Sequence, residues 1–178
     1  MLSPLPVPET KPATELVDGV LVRKMSPKRR HQALERRWVE ALERWARGRG
    51  EAYHEWRHEF RAPGYRFASL VPDVAYLSRH ALDALGDAAA EAPPRAPEVV
   101  VEILSSGEPE RVLAWKIAAY LAAGSSVVFV VDPPHRTVVA HDAHGRQRFG
   151  PGDTVTHDAL PGFAYPIDAM LEGLYLGE

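Results

Sequence analysis

Two apolar segments constrain the fold more than any other feature of the chain. PEVVVEILS (97–105) and SVVFVVD (126–132) are rich in valine and isoleucine on both faces, which is typical of strands covered on both sides of a sheet. The segment between them, residues 108–124, predicts a long helix that Gly124 closes. Strands joined by a long helix, with hairpins towards both ends of the chain, predict an α/β domain whose mixed central β-sheet is flanked by helices.

The N-terminal part of the chain predicts a hairpin followed by a helix. ELVDGVLVRKM (15–25) has short apolar runs on both sides of Asp18-Gly19, which is a typical two-residue hairpin turn. Ser26-Pro27 is a typical helix start, and the helix is expected to run over about 27–47. Its apolar stripe consists of Leu34, Trp38, Ala41, Leu42 and Trp45.

Length and composition limit the class of protein. The 178 residues fit one domain, which we place at 14–178 after a proline-rich leader, extended or disordered, at 1–13. The chain contains no cysteine, which excludes disulfides and thiolate metal sites and suits a cytoplasmic protein. No apolar run approaches the ~18 residues of a membrane span, so we expect no membrane partner. The net charge of −3 leaves nucleic acid as a partner only through a local basic surface.

HEWRH (54–58) matches the HExxH pattern, in which two histidines on one helical turn bind zinc and the glutamate acts as general base. Read with a period of two, however, residues 51–61 place His54, Trp56 and His58 on one face of a half-buried strand. In a strand the two histidines lie about 13 Å apart, because each residue adds ~3.3 Å. That distance is too long for one zinc ion. The pattern therefore favours two histidines packed beside Trp56 over a zinc metalloprotease.

Three charged residues stand in otherwise apolar segments. Asp73 in VPDVAYL (71–77) and Glu102 in PEVVVEILS each lie near the end of a predicted strand, where a buried carboxylate is costly without a cation. Lys116 shares a helical face with Tyr120 and is expected at the margin of the side packed on the sheet. Each residue alone has a purely structural interpretation. Together they indicate a site in which two carboxylates bind Mg²⁺ or Mn²⁺.

The order and spacing of these segments resemble the Uma-type endonuclease family, part of the restriction-endonuclease-like PD-(D/E)xK superfamily. The resemblance rests on VPDVAYL, on VVVEIL, on the lysine of WKIAAYLAAG and on VVFVVDP. It extends from ELVDG at residue 15 to LPGF at 160–163. It implies a restriction-endonuclease-like core and a metal-dependent deoxyribonuclease, which hydrolyses phosphodiester bonds in DNA.

The resemblance also implies roles for individual residues. Asp73 and Glu102 would bind Mg²⁺ or Mn²⁺ together with the backbone carbonyl of Ile103, and Lys116 would be the catalytic lysine. It would either stabilise charge on the phosphate or orient the attacking water. The strict motif has lysine two residues after the glutamate, where this chain has Leu104. The lysine is therefore displaced onto the following helix.

Five further residues have two interpretations each. Glu15 and His31 match family positions, as an outer ligand or a proton shuttle, but they could equally be a hairpin acid and a surface histidine. Arg30, Arg37 and Arg44 recur every seven residues along one border of the helix stripe. They could contact DNA phosphates, or they could form a solvated face between the glutamates of the same helix.

A binding or assembly module that has lost nuclease chemistry is the second class of function. Ser105-Ser106-Gly107-Glu108 supports it, because family members commonly have Ser-Pro-Ser followed by an acidic residue at this point. The presence of both carboxylates and the lysine favours the enzyme. Strand 126–132 and its hairpin could also present a self-complementary edge, which would be compatible with a homodimer.

Overall fold

Twelve strands and five helices form within residues 7–175, the part of the chain that the computed structural model describes. The strands are β1 (Thr14–Val17), β2 (Val20–Arg23), β3 (Gly50–His54), β4 (His58–Phe60), β5 (Ala68–Leu70), β6 (Val74–Ser78), β7 (Val99–Ile103), β8 (Val127–Asp132), β9 (Thr137–Asp142), β10 (Gly145–Phe149), β11 (Thr154–Val155) and β12 (Tyr165–Pro166). The helices are α1 (Arg29–Ala46), α2 (Arg79–Leu85), α3 (Asp87–Ala90), α4 (Glu110–Ala122) and α5 (Ile167–Leu171).

The central sheet has six strands in the order β10-β9-β8-β7-β6-β3. Strands β7 and β8, which contain the two apolar segments, are parallel, whereas the other neighbouring pairs are antiparallel. A parallel pair requires a long crossover connection, and α4 provides it. The predicted α/β fold with a mixed central sheet flanked by helices is confirmed.

The two faces of the central sheet pack against different helices. On β7, Val99, Val101 and Ile103 join the core that contains α1, whereas Val100 joins the core that contains α4. Because side chains alternate along a strand, Glu102 shares the α4 side with Val100. This alternation decides which helix the carboxylate of β7 meets.

A second sheet has four strands in the order β2-β1-β5-β4 and contains the N-terminal hairpin. The hairpin prediction is confirmed: β1 and β2 are joined by Asp18 and Gly19, which have φ angles of 48° and 78°. Positive φ at both positions is what a two-residue hairpin turn of matching twist requires. Val17 and Leu70 of this sheet share a core with Tyr120 of α4. The hairpin therefore lies beside α4 and close to the end of β7.

The HEWRH segment is not helical, as predicted, but it does not form one continuous strand. Strand β3 ends at His54, Glu55 has a φ of 51°, and β4 begins at His58. Strand β3 pairs with β6 in the central sheet, and β4 pairs with β5 in the second sheet. The segment that contains β5 and β6 passes from one sheet to the other at residues 71–73, so the HEWRH segment paired with it must change sheets as well. The prediction of a single strand over this segment is therefore wrong. Asp73 lies at the same junction, just before β6 rather than within a strand.

The remaining predictions concern the ends of the chain and its surroundings. Of the leader predicted at 1–13, residues 1–6 lie outside the described range, and residues 7–13 form neither helix nor strand. The single domain over 14–178 stays a prediction, as does the homodimer. Among residues 7–175, no helix combines the length and the apolar character that crossing a membrane requires.

Candidate active site

A cavity of about 570 Å³ opens beside the end of β7 and the start of α1. Six acidic residues line it, and the four buried ones come from separate elements: Glu15 from β1, Glu35 from α1, Asp73 from the junction between the sheets, and Glu102 from β7. Lys116 of α4 also lines the cavity. The fold therefore brings together the three charged residues that stand out in the sequence.

Asp73 is almost fully buried and has polar partners on both carboxylate oxygens. Its Oδ1 accepts a hydrogen bond of 2.6 Å from Lys24 Nζ and lies 3.2 Å from His31 Nε2. Its Oδ2 accepts a hydrogen bond of 2.6 Å from the backbone amide of Ile103. Burial disfavours the ionised form, but the charge of Lys24 and the contact with His31 hold the pKa of Asp73 well below its usual range. Asp73 is therefore an ionised carboxylate directly beside the end of β7.

Glu102 contacts two residues of α4. Lys116 Nζ lies 2.8 Å from its Oε1 and 2.9 Å from its Oε2, and the hydroxyl of Tyr120 donates to Oε1 at 3.3 Å. Lys116 and Tyr120 are one helical turn apart, so they share a face. Burial raises the pKa of Glu102 to about 8, although the charge of Lys116 opposes this shift. Burial lowers the pKa of Lys116, but its carboxylate neighbours raise it further, to well above its usual value.

Glu15 belongs to the interior of the site. Its Oε2 lies 3.3 Å from Lys116 Nζ, and its Oε1 accepts a hydrogen bond of 2.8 Å from the amide of Val71. Lys116 is 1% exposed, whereas the helix pattern placed it at the margin of the sheet-facing side. That prediction is wrong because β1 covers α4 at this point and supplies a second carboxylate for the buried ammonium group.

Helix α1 contributes His31 together with Glu35, one turn later. Nε2 of His31 lies 3.3 Å from Oε1 of Glu35 and 3.2 Å from Oδ1 of Asp73. Burial opposes protonation of the ring, but the hydrogen bonds to Asp73 and Glu35 raise the pKa of His31 to about 9. One potential ligand atom from each of the three residues lies within 4.8 Å of the other two. His31 is thus part of a charged cluster and not a surface histidine.

Sequence reasoning missed two residues of this site, Lys24 and Glu35, and assigned no role to Tyr120 although it placed that residue on the face of Lys116. Glu35 follows His31 by one helical turn, so the same i, i+4 rule could have found it. Lys24 had no comparable signal. It follows β2 in a basic stretch, and only the packing of the hairpin against residues 71–73 brings it to Asp73.

The three arginines predicted to contact DNA have different surroundings. The guanidinium of Arg37 donates hydrogen bonds of 2.7 and 2.8 Å to backbone carbonyls of the C-terminal segment. Arg30 borders the cavity and lies 4.3 Å from the ring centre of Tyr175. Arg44 lines a separate surface depression beside Trp45. DNA contact stays a prediction for all three, with Arg30 nearest to the site.

The histidines of HEWRH lie away from this cluster. His58 is fully buried, with Nδ1 2.9 Å from the carbonyl of Arg95 and its ring centre 4.8 Å from that of Trp56. Burial lowers the pKa of His58 to about 4. His54 is exposed, so the prediction of two histidines beside Trp56 is right for His58 and wrong for His54. Within residues 7–175, neither histidine belongs to a group of three close metal ligands.

Comparisons with known proteins agree with this architecture. The crystal structure of "a putative nuclease belonging to DUF820" from Anabaena variabilis is similar, with a TM-score of 0.81, 23% identity and 94% of each chain covered. No curated protein matches the chain. The model of the Uma2 family, described as "Putative restriction endonuclease", matches residues 2–169. The resemblance seen in the sequence is therefore confirmed, and the chain belongs to the Uma2 family.

Proposed function

We propose that this protein is a metal-dependent endonuclease that hydrolyses phosphodiester bonds in DNA, with Asp73, Glu102 and Lys116 as its catalytic residues. The observation that carries the proposal is their convergence. Asp73 bonds to the amide of Ile103, the residue after Glu102, and Lys116 contacts both oxygens of Glu102 at the wall of one cavity. Membership of a family described as restriction endonucleases supports the same reaction.

The donor groups fit a hard divalent cation. Asp73 and Glu102 offer carboxylate oxygens, and the carbonyl of Ile103 would be a third oxygen ligand. Both carboxylates are 2% exposed, and the raised pKa of Glu102 follows from burial that a nearby cation would offset. We therefore assign Mg²⁺ or Mn²⁺ to these ligands. When bound, the ion supplies positive charge for a phosphate oxygen and increases the acidity of a water molecule.

Lys116 is positioned to act on the phosphate. Its Nζ lies within hydrogen-bonding distance of Glu102 and 3.3 Å from Glu15, so two carboxylates fix its place. Its raised pKa keeps the ammonium group charged at neutral pH. The group would stabilise charge that develops on the phosphate or orient the attacking water, and both roles depend on its fixed position.

Basic residues at the mouth of the cavity would bind the DNA backbone. The cavity is lined by Arg23 at the end of β2 and, at the start of α1, by Lys28, Arg29 and Arg30. They form a local positive surface on a chain whose net charge is −3, and such a surface is what attracts a polyanion. We favour this surface over Arg37, which does not line the cavity.

Cleavage of supercoiled, linear duplex and single-stranded DNA with Mg²⁺ or Mn²⁺ tests the proposal. We expect cleavage by the wild type and a loss of roughly a hundredfold or more in Glu102→Gln and in Lys116→Met. Glu40→Gln is the matched control, because it makes the same chemical change on a side chain that is 55% exposed. Cleavage that persists in Glu102→Gln, or that EDTA does not stop, would contradict the proposal.

A binding or assembly module is the second candidate, and one observation favours it. Each catalytic carboxylate already has an internal cation: Lys24 lies 2.6 Å from Asp73, and Lys116 lies 2.8 Å from Glu102. Buried carboxylates that are paired in this way do not need an added ion for stability. This candidate predicts that neither Mg²⁺ nor Mn²⁺ raises the thermal midpoint of the wild type and that no DNA form is cleaved.

A further inference from the structure

We infer that His31, Glu35 and Asp73 form a second cation site, selective for ions that accept a nitrogen ligand, such as Mn²⁺ or Zn²⁺, over Mg²⁺. The inference deepens the proposed function and rests on it through the shared residue Asp73. The second ion would use Oδ1 of Asp73, which faces α1, whereas Oδ2 faces the amide of Ile103. Oδ1 of Asp73 would thus bind the second ion, whereas Oδ2 accepts the hydrogen bond from the amide of Ile103.

The spacing of the donor atoms matches that of ligands around one ion. With metal–ligand bonds of ~2.1 Å, adjacent ligand atoms in tetrahedral or octahedral sites lie roughly 3.0–3.4 Å apart. His31 Nε2 lies 3.2 Å from Asp73 Oδ1 and 3.3 Å from Glu35 Oε1. The Glu35 and Asp73 oxygens are within 4.8 Å of each other. An ion could therefore replace the proton on Nε2 after only a small closure of the two carboxylates.

The three side chains are held in place and can still be reached from solvent. His31 and Glu35 project from one face of α1, since they are one turn apart. Their side chains are 14% and 8% exposed, that of Asp73 is 3% exposed, and all three line the cavity. Nδ1 of His31 is buried and has no hydrogen-bond partner among residues 7–175. The contacts of Nε2 with the two carboxylates are therefore what orients the ring.

The donor set selects the ion. An imidazole nitrogen suits Mn²⁺, Co²⁺ and Zn²⁺, whereas Mg²⁺ prefers oxygen ligands and retains its water. The ligands assigned to the catalytic ion, Asp73, Glu102 and the carbonyl of Ile103, all supply oxygen. The two sites should therefore differ in preference, and only the one on α1 should discriminate strongly against Mg²⁺.

Lys24 competes with an ion at this second site. Its Nζ lies 2.6 Å from Oδ1 of Asp73, the same atom that His31 contacts, and donates a 2.8 Å hydrogen bond to the carbonyl of Val71. An ammonium group and a divalent cation that share one carboxylate oxygen repel each other. Removal of Lys24 should therefore tighten cation binding, whereas removal of a ligand should weaken it. These opposite signs separate a metal site from a merely structural cluster.

Titration of the folded protein with Mn²⁺, followed by calorimetry and by pulsed electron paramagnetic resonance, tests the inference. We expect Glu35→Gln to raise the Kd for Mn²⁺ by roughly tenfold or more, since even outer-shell changes at metal sites have effects of this size. Lys24→Met should lower the Kd, and Glu40→Gln on the exposed face of α1 should leave it unchanged. Mn²⁺ bound to Glu102→Gln should show nitrogen hyperfine coupling that is lost in His31→Gln.

Each outcome decides between the two proposals. Bound Mn²⁺ without nitrogen coupling, or a Kd that is equal in Glu35→Gln and wild type, would overturn the second site. If Glu35→Gln does not fold, the nitrogen coupling still decides, because it reports on the His31 ligand alone. Nitrogen-coupled Mn²⁺ without cleavage of any DNA form would leave the second site standing and reject the endonuclease. Cleavage that requires Glu102, with no nitrogen coupling, would reject the second site alone.

Discussion

Two short segments each place a histidine four residues from another potential metal ligand, and only one of them keeps the two side chains together. His31 and Glu35 lie on consecutive turns of α1, with Nε2 and Oε1 3.3 Å apart. His54 and His58 lie in strands of different sheets, separated by a backbone break at Glu55. A four-residue spacing therefore indicates a metal site only where the backbone is helical. The weaker motif forms the cluster, and the stronger motif, HExxH, does not.

The same two regions also differ in the charge of their histidines. Burial opposes protonation of both rings. His31 faces Asp73 and Glu35, and these carboxylates raise its pKa to about 9. Burial lowers the pKa of His58 to about 4. The hydrogen bond to the Arg95 carbonyl opposes this shift, and the positive charge of the Arg95 guanidinium adds to it. The comparison shows that the neighbours, and not burial alone, decide whether a buried histidine is charged.

The largest effect should come from removing a cation from the charged cluster. Lys116→Met leaves Glu102 and Glu15 without their shared cation, so that each must take up a proton or remain an unpaired buried charge, and we expect the free energy of unfolding to fall by about 3 kcal/mol or more at pH 8. Urea unfolding measures this change. The double variant Glu102→Gln/Lys116→Met should recover part of the loss, because only one carboxyl group is then left without its cation. Lys28→Met, on an exposed side chain, is the control and should change stability by less than ~0.5 kcal/mol.

His58 should destabilise the protein in mild acid. The unfolded chain binds a proton near the ordinary histidine pKa of 6.5, whereas the folded state resists protonation until about pH 4. The free energy of unfolding should therefore fall as the pH decreases from about 6.5 to about 4, by up to about 3 kcal/mol. His58→Asn keeps a donor for the Arg95 carbonyl but does not titrate. If the free energy of unfolding falls equally with pH in the wild type and in His58→Asn, His58 is not the cause of the loss.

His31 should give the opposite pH dependence. The folded state keeps its proton up to about pH 9, whereas the unfolded chain loses it near 6.5. The stabilisation is therefore complete below about pH 6.5 and is lost as the pH rises through 9. We expect about 2 kcal/mol after allowance for the partial exposure of the ring. Unfolding of wild type and His31→Gln across this range, in EDTA, measures the difference, and a loss of equal size in both proteins would contradict the assignment.

The sequence was sufficient for the parts of the site that depend on local periodicity. Glu102 and Lys116 each place a charge at a position that the pattern of their own segment, β7 or α4, would fill with an apolar residue. Such a charge can be recognised from that one segment alone. Lys24 was beyond this reasoning, since it meets Asp73 across a separation of 49 residues. The break at Glu55 could not be predicted from HEWRH either, because it follows from the change of sheet at residues 71–73, between β5 and β6. Both features therefore depend on contacts between segments far apart in the sequence, which the periodicity of a single segment does not reveal.

The smallest effect should come from His54, and it tests the HEWRH segment in the comparison with the His31–Glu35 segment. His54 is exposed, and among residues 7–175 it belongs to no group of three close metal ligands, so His54→Ala should change stability by less than ~0.5 kcal/mol. It should also leave Zn²⁺ binding unchanged, whereas His31→Gln should weaken it. Calorimetric titration with Zn²⁺ of both variants measures this contrast. A loss of Zn²⁺ affinity in His54→Ala alone would mean that HEWRH binds metal, in which case the break between β3 and β4 could not persist in the bound protein.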